Sequence, residues 1–422
     1  MGLVYLRHWI KFMKITLAKA YAVLDSRGVP TVAVYLQANG QYAVGMSPSG
    51  ASTGSHEAYE WRDGEQAFAG KSVDKAVNFF NEKLAQSICE KDWEGCVSFD
   101  QWLIETDGSA NFQNIGGNLA IAASIAFLRI ASLVHGFEPY AALRNEFGFE
   151  GAKPVVTPMI NVINGGKHAS SGLAIQEIMI VPVIGDSSTE KIMIGAEIFS
   201  ALKKVMIKRH FSTLVGDEGG FAPVIEHASE AFDLIAEACD SAGYRFGDDI
   251  KLALDVAATE VYREGKYHLE GMAMDAATMV DFYESLVKKY PIISIEDPFA
   301  EDDFAAWKLL QERIGQQVQI VGDDLTVTNV QRMALVQNQK LVSAMIVKPN
   351  QIGTITQTMN AIKLANQYGW RTIISHRSGE TEDTTIADIA YAVGSPYIKT
   401  GSCSRSERLA KYNRLIWLEQ RV

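Results

Sequence analysis

The stretch SAMIVKP, residues 343–349, decides how this chain is read. Four apolar residues, Ala344 to Val347, run into Lys348 and then Pro349. A short apolar run bounded by a helix breaker reads as a buried strand rather than as a helix. The strand ends on a lysine whose neighbours in sequence offer it no carboxylate. Working outward, other runs end the same way. KLALDVA (251–257) delivers Asp255, PIISIEDP (291–298) Glu296, and VQIVGDD (318–324) Asp323. RTIISHR (371–377) delivers His376 and PYIKTG (396–401) delivers Lys399. From Glu296 to Lys399 the charged positions recur about every 23 to 28 residues, the length of one strand–helix unit.

That rhythm begins with TPMINVIN (157–164) and AIQEIMIVP (174–182). Strands alternating with helical stretches predict a parallel sheet covered by helices. About eight strands in this span fit a closed (β/α)8 barrel, an α/β fold. A doubly wound open sheet is the rival, but no GxGxxG follows any of these strands. Residues 14–47 read differently, as a strand meander with turns at DSRGVP and NGQ. Residues 56–135 read as helices, and GGNLAIAASIAFLRIASLV is apolar on nearly every face, which predicts a buried helix. The expected organisation is an N-terminal α+β capping domain over residues 1–140, with 1–13 as an extension, and a catalytic barrel over 141–422.

The 422 residues carry 39 lysines and arginines against 50 acids, a formal net charge of −11. That balance argues against general affinity for nucleic acid or an anionic membrane. No apolar run is read as approaching the ~20 residues of a membrane span. The four cysteines form no CxxC pair, so reduced thiols and a cytoplasmic location are expected.

One charge at a strand end is usually only the entry to a polar loop. Six in register place charged groups around one barrel mouth, where enzymes of this architecture keep their chemistry. Asp255, Glu296 and Asp323 would repel one another there unless a cation or a proton intervened. An all-oxygen donor set favours magnesium or manganese over zinc. Glu177, in an apolar strand, and Glu218, in GDEGGFAP, are a second acid pair, and two adjacent carboxyls leave one able to donate a proton. His168 after paired glycines is a weak signal alone. PSGASTGSH (48–56) reads as a mobile loop or a lid, and SHRSGETED (375–383) as a phosphate clamp or a salt-bridged turn. DGEQAFAGKS (63–72) misses the P-loop spacing, and HExxH and GxSxG are absent.

Taken together, LDSRGVPTV, PSGASTGSHEA, NVINGGKHA, IQEIMIVP, GDEGGFAP, IEDPFAEDD, DDLTVTN, VKPNQIGT, SHRSGETED and GSCSRSERLAKYN resemble the motifs of the enolase family, in order from about residue 20 to 417. The resemblance implies an N-terminal α+β domain over an atypical barrel, and reversible dehydration of 2-phosphoglycerate to phosphoenolpyruvate. It implies two Mg2+ per site, one held by Asp255, Glu296 and Asp323, the second held with substrate and Ser52. It implies Lys348 as general base and Glu218 as general acid, with Glu177 and His168 in support. Gln176, His376, Arg377, Ser378 and Lys399 are the implied substrate-binding residues. A neutral Lys348 is needed for that role, so a lowered pKa is expected. The resemblance also implies a homodimer or higher homo-oligomer, and leaves a secondary cell-surface presence open. Two other readings stand beside it: an acid-sugar dehydratase or racemase of the same superfamily, and a non-catalytic binding protein on the same fold. Val29 replaces the asparagine usual in DSRGNP, and the C-terminus is short.

Overall fold

The computed structural model describes residues 12–51, 54–151, 153–168 and 172–421. Eight strands close a barrel in the order Ile292–Glu296, Gln319–Gly322, Ala344–Val347, Arg371–Ser375, Tyr397–Lys399, Thr157–Asn164, Glu177–Pro182 and Ile250–Asp255. Alternate side chains fill the interior, where Met159, Met179, Val181, Ala253, Val321, Ala344, Ile346 and Ile373 form one apolar cluster. The other faces of the strands meet the surrounding helices. Several of those helices start on side chains that accept backbone N–H groups, among them Ser187 from Glu190 at 3.0 Å, Asp275 from Thr278 at 2.8 Å and Asn329 from Gln331 at 2.8 Å.

The expectation of a parallel sheet fails at one strand, in keeping with the atypical barrel that the resemblance implies. Glu177–Pro182 runs antiparallel to both its neighbours. The cause lies in the connection. A parallel crossover usually carries an α-helix, whereas among the described residues of 165–176 the one helical element is the short 3-10 turn Gly166–His168. The chain therefore turns back as a hairpin, and Glu177 reaches the barrel mouth from the start of its strand instead of the end. A small antiparallel sheet, Tyr262–Arg263, Lys266–Leu269 and Met272–Met274, was not read from the sequence.

The N-terminal region forms the expected meander, Leu17–Leu24, Pro30–Ala38 and Gln41–Met46. The Gly117–His135 helix packs across it. Gly45 makes the contact close: a Cβ there would lie 2.3 Å from both the Ala122 carbonyl oxygen and the Ala126 nitrogen. The helix is buried from Gly117 through Leu128 without a break. By length and composition it could cross a membrane, which corrects the reading that no run approaches that length. Of its apolar window 78% is buried inside the fold, as for a core helix.

The two parts are joined at the mouth. Ser49 and Gly379 exchange backbone hydrogen bonds of 2.7 and 2.9 Å. Ser49 donates its hydroxyl to Asp25 at 2.6 Å, and Arg27 donates to Ser49 Oγ at 2.9 Å. Thus DSRG, read as a turn, supplies the seam between meander and barrel.

Candidate active site

The barrel brings the strand-end residues to one rim. Asp255 and Glu296 end adjacent strands and are register partners, and Glu177 is the register partner of Asp255 on its other side. Asp323, Lys348 and His376 each follow their strands by one residue, and Lys399 ends its own. One cavity is lined by Gln176, Glu177, Glu218, Asp255, Asp323, Lys348, His376, Arg377, Ser378 and Lys399. Residues distant in sequence thus meet as expected. The exceptions are Ser52 and the side chain of His168, which lie outside the described residues.

Lys399 is the hub of the rim. Its Nζ donates to Asp255 at 2.8 Å and to both oxygens of Glu296 at 2.9 Å, and it lies 3.1 Å from Glu177. The side chain is 2% exposed. Burial opposes its charge, but Asp255, Glu177 and Glu296 together raise its pKa well above the usual amine value. Glu296 and Glu177 are pushed up, first by burial and then by the neighbouring acids Asp255 and Glu218 respectively.

Lys348 is paired as well. Its Nζ donates to Asp323, whose other oxygen accepts from Gln351 Nε2 at 2.9 Å. The lowered Lys348 pKa is expected from magnesium together with Lys399; the surrounding side chains by themselves do not produce it. Burial, the largest single influence, and Arg377 act downward, but the Asp323 and Glu296 carboxylates act upward and the net pKa is raised. Burial likewise opposes ionisation of Asp323, yet Lys348 holds its pKa below the carboxylate range.

The opposite wall is built from a glycine-flanked loop. Gly216 and Gly219 close it on itself, and Ser402 N donates to the Glu218 carbonyl at 2.9 Å. The Glu218 carboxylate accepts from Asn161 Nδ2 at 3.0 Å and faces His376 Nε2 at 3.5 Å. Ligand atoms of Glu177, Glu218 and His376 lie within 4.8 Å of one another. Arg408 fixes the histidine. Its guanidinium lies 2.7 Å from His376 Nδ1, so Nδ1 accepts and Nε2 carries the hydrogen toward Glu218. Burial depresses the His376 pKa to about 4, and Arg408 adds to that. The same guanidinium donates to the Arg377 and Ser378 carbonyls at 2.6 Å, tying the 376–378 loop in place.

Several of these residues escaped the sequence reading. Asp297 and Asp324 are the second acids of IEDP and GDD, and their doubling was the one signal they carried. Oxygens of Asp297, Asp323 and Asp324 approach within 4.8 Å. Asp324 is raised to about 8 by burial and Asp323. Glu57, sitting beside the expected loop, pairs with Arg377 at 2.8 Å. Asn161 and Arg408 lie within the quoted motifs NVINGGKHA and GSCSRSERLAKYN, but nothing local gave either one a role.

The donor chemistry fits a hard divalent cation. Asp255, Glu296 and Asp323 offer only carboxylate oxygens, and the protein balances them with two ammonium groups, the buried Lys399 and the partly buried Lys348. Positive charge is therefore required at this rim.

Comparison with known families agrees with the geometry. The family described as Enolase, N-terminal domain matches residues 15–143, and Enolase, C-terminal TIM barrel domain matches residues 152–422. With both domains matched over nearly its whole length, the chain belongs to the enolase family.

Proposed function

We propose that this protein catalyses the reversible, magnesium-dependent dehydration of 2-phosphoglycerate to phosphoenolpyruvate. The observation that carries the reading is the placement of two proton-handling groups across one cavity. Lys348 follows the Ala344–Val347 strand, and Glu177 begins the strand four places round the ring of eight, directly opposite. Glu218 stands with Glu177 on that far wall. An elimination across two adjacent carbons needs a base and an acid separated in this way.

The proton on C2 lies beside a carboxylate, and its removal leaves that group doubly negative. Divalent cations held by Asp255, Glu296 and Asp323 would supply positive charge where this charge develops. A lysine or histidine base working beside magnesium is the established pattern of the enolase superfamily, and the residues here fit it. Lys348 takes the C2 proton, and as a neutral amine it must first be released from its Asp323 pairing. On the other wall, the adjacent carboxyls of Glu177 and Glu218 retain a proton, because burial and their mutual repulsion disfavour two charges. Glu218 delivers that proton to the departing 3-hydroxyl, so C2 loses a proton, C3 loses hydroxide, and water and phosphoenolpyruvate result. Lys399 faces the substrate carboxylate. Arg377 beside Ser378 suits a phosphate group, which favours this substrate over an unphosphorylated acid sugar.

We further propose a cytoplasmic homo-oligomer, for which light scattering on the purified protein gives the subunit count. The functional test is the ultraviolet absorbance of phosphoenolpyruvate formed from 2-phosphoglycerate. Product is expected with magnesium and none after chelation with EDTA. An inactive magnesium-loaded protein, or activity surviving complete metal removal, would overturn the reading.

A further inference from the structure

We propose that Glu57, a residue of the N-terminal domain, is a positioning residue that fixes the Arg377 guanidinium for an anionic substrate group and links it to Asp323; the substrate assignment rests on the reading above. Glu57 receives Arg377 in a two-pronged pair, Nη1 to Oε2 at 2.8 Å and Nη2 to Oε1 at 3.2 Å. The two side chains are 7% and 3% exposed. Asn350 Oδ1 accepts a further Nη1 bond at 3.1 Å. A planar fork held on two prongs has its orientation set before any ligand arrives.

Glu57 reaches further than Arg377. Its Oε1 also accepts from Gly54 N at 3.0 Å and from Gln351 Nε2 at 3.4 Å. Gln351 Nε2 in turn donates to Asp323 Oδ1 at 2.9 Å. One carboxylate thus joins a backbone amide of the N-terminal domain, the guanidinium in the cavity wall and the carboxylate paired with Lys348. Glu57 itself lines the adjacent cleft of Gly50, Gly54, Tyr59, Asn118 and Asn350, whereas Arg377 lines the active-site cavity. Glu57 therefore acts through Arg377 rather than on the substrate. Holding a rotamer-rich arginine in its bound geometry removes an ordering cost from ligand binding.

The test uses the full chain with magnesium, comparing wild type, Glu57→Gln, Glu57→Asp, Arg377→Lys and the double variant Glu57→Gln/Arg377→Lys. Steady-state kinetics with 2-phosphoglycerate should show KM raised about tenfold in Glu57→Gln, with kcat changed less than about threefold. Glu57→Asp keeps the charge but is one methylene short, so its KM should fall between. In the Arg377→Lys background, Glu57→Gln should add less than about twofold, because the two losses are one loss. Calorimetry with inorganic phosphate is the second readout, and Glu57→Gln should weaken binding about tenfold. An unchanged KM and phosphate affinity in Glu57→Gln, or losses that multiply in the double variant, would overturn the proposal. A wild type that fails to turn over 2-phosphoglycerate would instead sink the substrate assignment, leaving the phosphate measurement to decide the role of Glu57. A wild type that binds no phosphate would overturn the proposal outright.

Discussion

The barrel mouth and the helix–meander contact of the N-terminal domain bury their residues for opposite reasons. At the meander, Gly45 lets the backbone of the Gly117–His135 helix approach, and alanines and isoleucines fill the contact. The main gain there comes from removing apolar surface from water and from close packing. At the mouth, Glu177, Glu218, Asp255, Asp323, Lys348 and Lys399 line one cavity, with Glu296 tied to Lys399 beside it, a costly arrangement that holds because charges of opposite sign are paired. Nearby, the buried atoms Asn161 Oδ1, Asn164 Nδ2 and Oδ1, Thr400 Oγ1 and Ser402 Oγ have no hydrogen-bond partner among the described residues. Native cores rarely tolerate such a concentration, so it marks a place shaped for something other than stability. The difference separates residues whose loss should cost folding from those whose loss should cost chemistry.

The contrast can be broken at several points. The largest expected effect is on turnover: Lys348→Ala should lower kcat about 10³-fold with 2-phosphoglycerate, while thermal unfolding shows a retained fold. Next comes Lys399→Met. It leaves Glu177, Asp255 and Glu296 without their shared cation, so denaturant unfolding at pH 7 should show a loss of about 3–5 kcal/mol. Added magnesium should restore more stability to this variant than to wild type, because the carboxylates then regain positive charge. Equal magnesium stabilisation of both would show that Lys399 does not stand in for a cation. On the other side of the comparison, Gly45→Val should cost about 1–3 kcal/mol or more by pushing the helix off the meander, read as a lower denaturant midpoint. Its KM for substrate should stay near the wild-type value in the fraction that folds.

The smallest effect is a pH dependence. His376 in the folded protein titrates near 4, against 6.5 for an unperturbed histidine. The unfolded chain therefore binds the extra proton first, and the stability His376 contributes is complete above pH 6.5 and lost as pH falls toward 4. Relative to His376→Gln, wild type should lose up to about 3 kcal/mol across that window. Asp100, at the seam with the barrel through Thr356 N at 2.8 Å, runs the other way. Burial raises it from 3.8 to about 6, so its contribution is present at low pH and lost as pH rises through 6. Taking the difference between wild type and the His376 variant cancels the Asp100 component.

Much of this was legible in the sequence because registers repeat. Apolar runs ending on Asp255, Glu296, Asp323, Lys348, His376 and Lys399 needed only the strand–helix period to be placed at one mouth. The buried helix was equally plain, since no face of Gly117–His135 is polar enough to meet water. The reversed strand was not. Its apolar pattern is the same in either direction, and only the short 165–176 connection distinguishes a hairpin from a crossover. The roles of Glu57, Asn161 and Arg408 were unread for another reason: each lies in a quoted motif, but each acts across more than 30 residues of chain, and nothing adjacent in sequence marks its partner. The lowered Lys348 pKa was expected from magnesium and Lys399, and the pairing with Asp323 that acts against it was not foreseen.

The decisive experiment is exchange of the C2 proton of 2-phosphoglycerate with deuterium oxide, followed by NMR in the presence of magnesium. Exchange is expected in wild type, exchange with product formation blocked in Glu218→Gln, and no exchange in Lys348→Ala. Exchange that persists without Lys348, or that disappears equally in both variants, would contradict a base and an acid facing each other across the barrel.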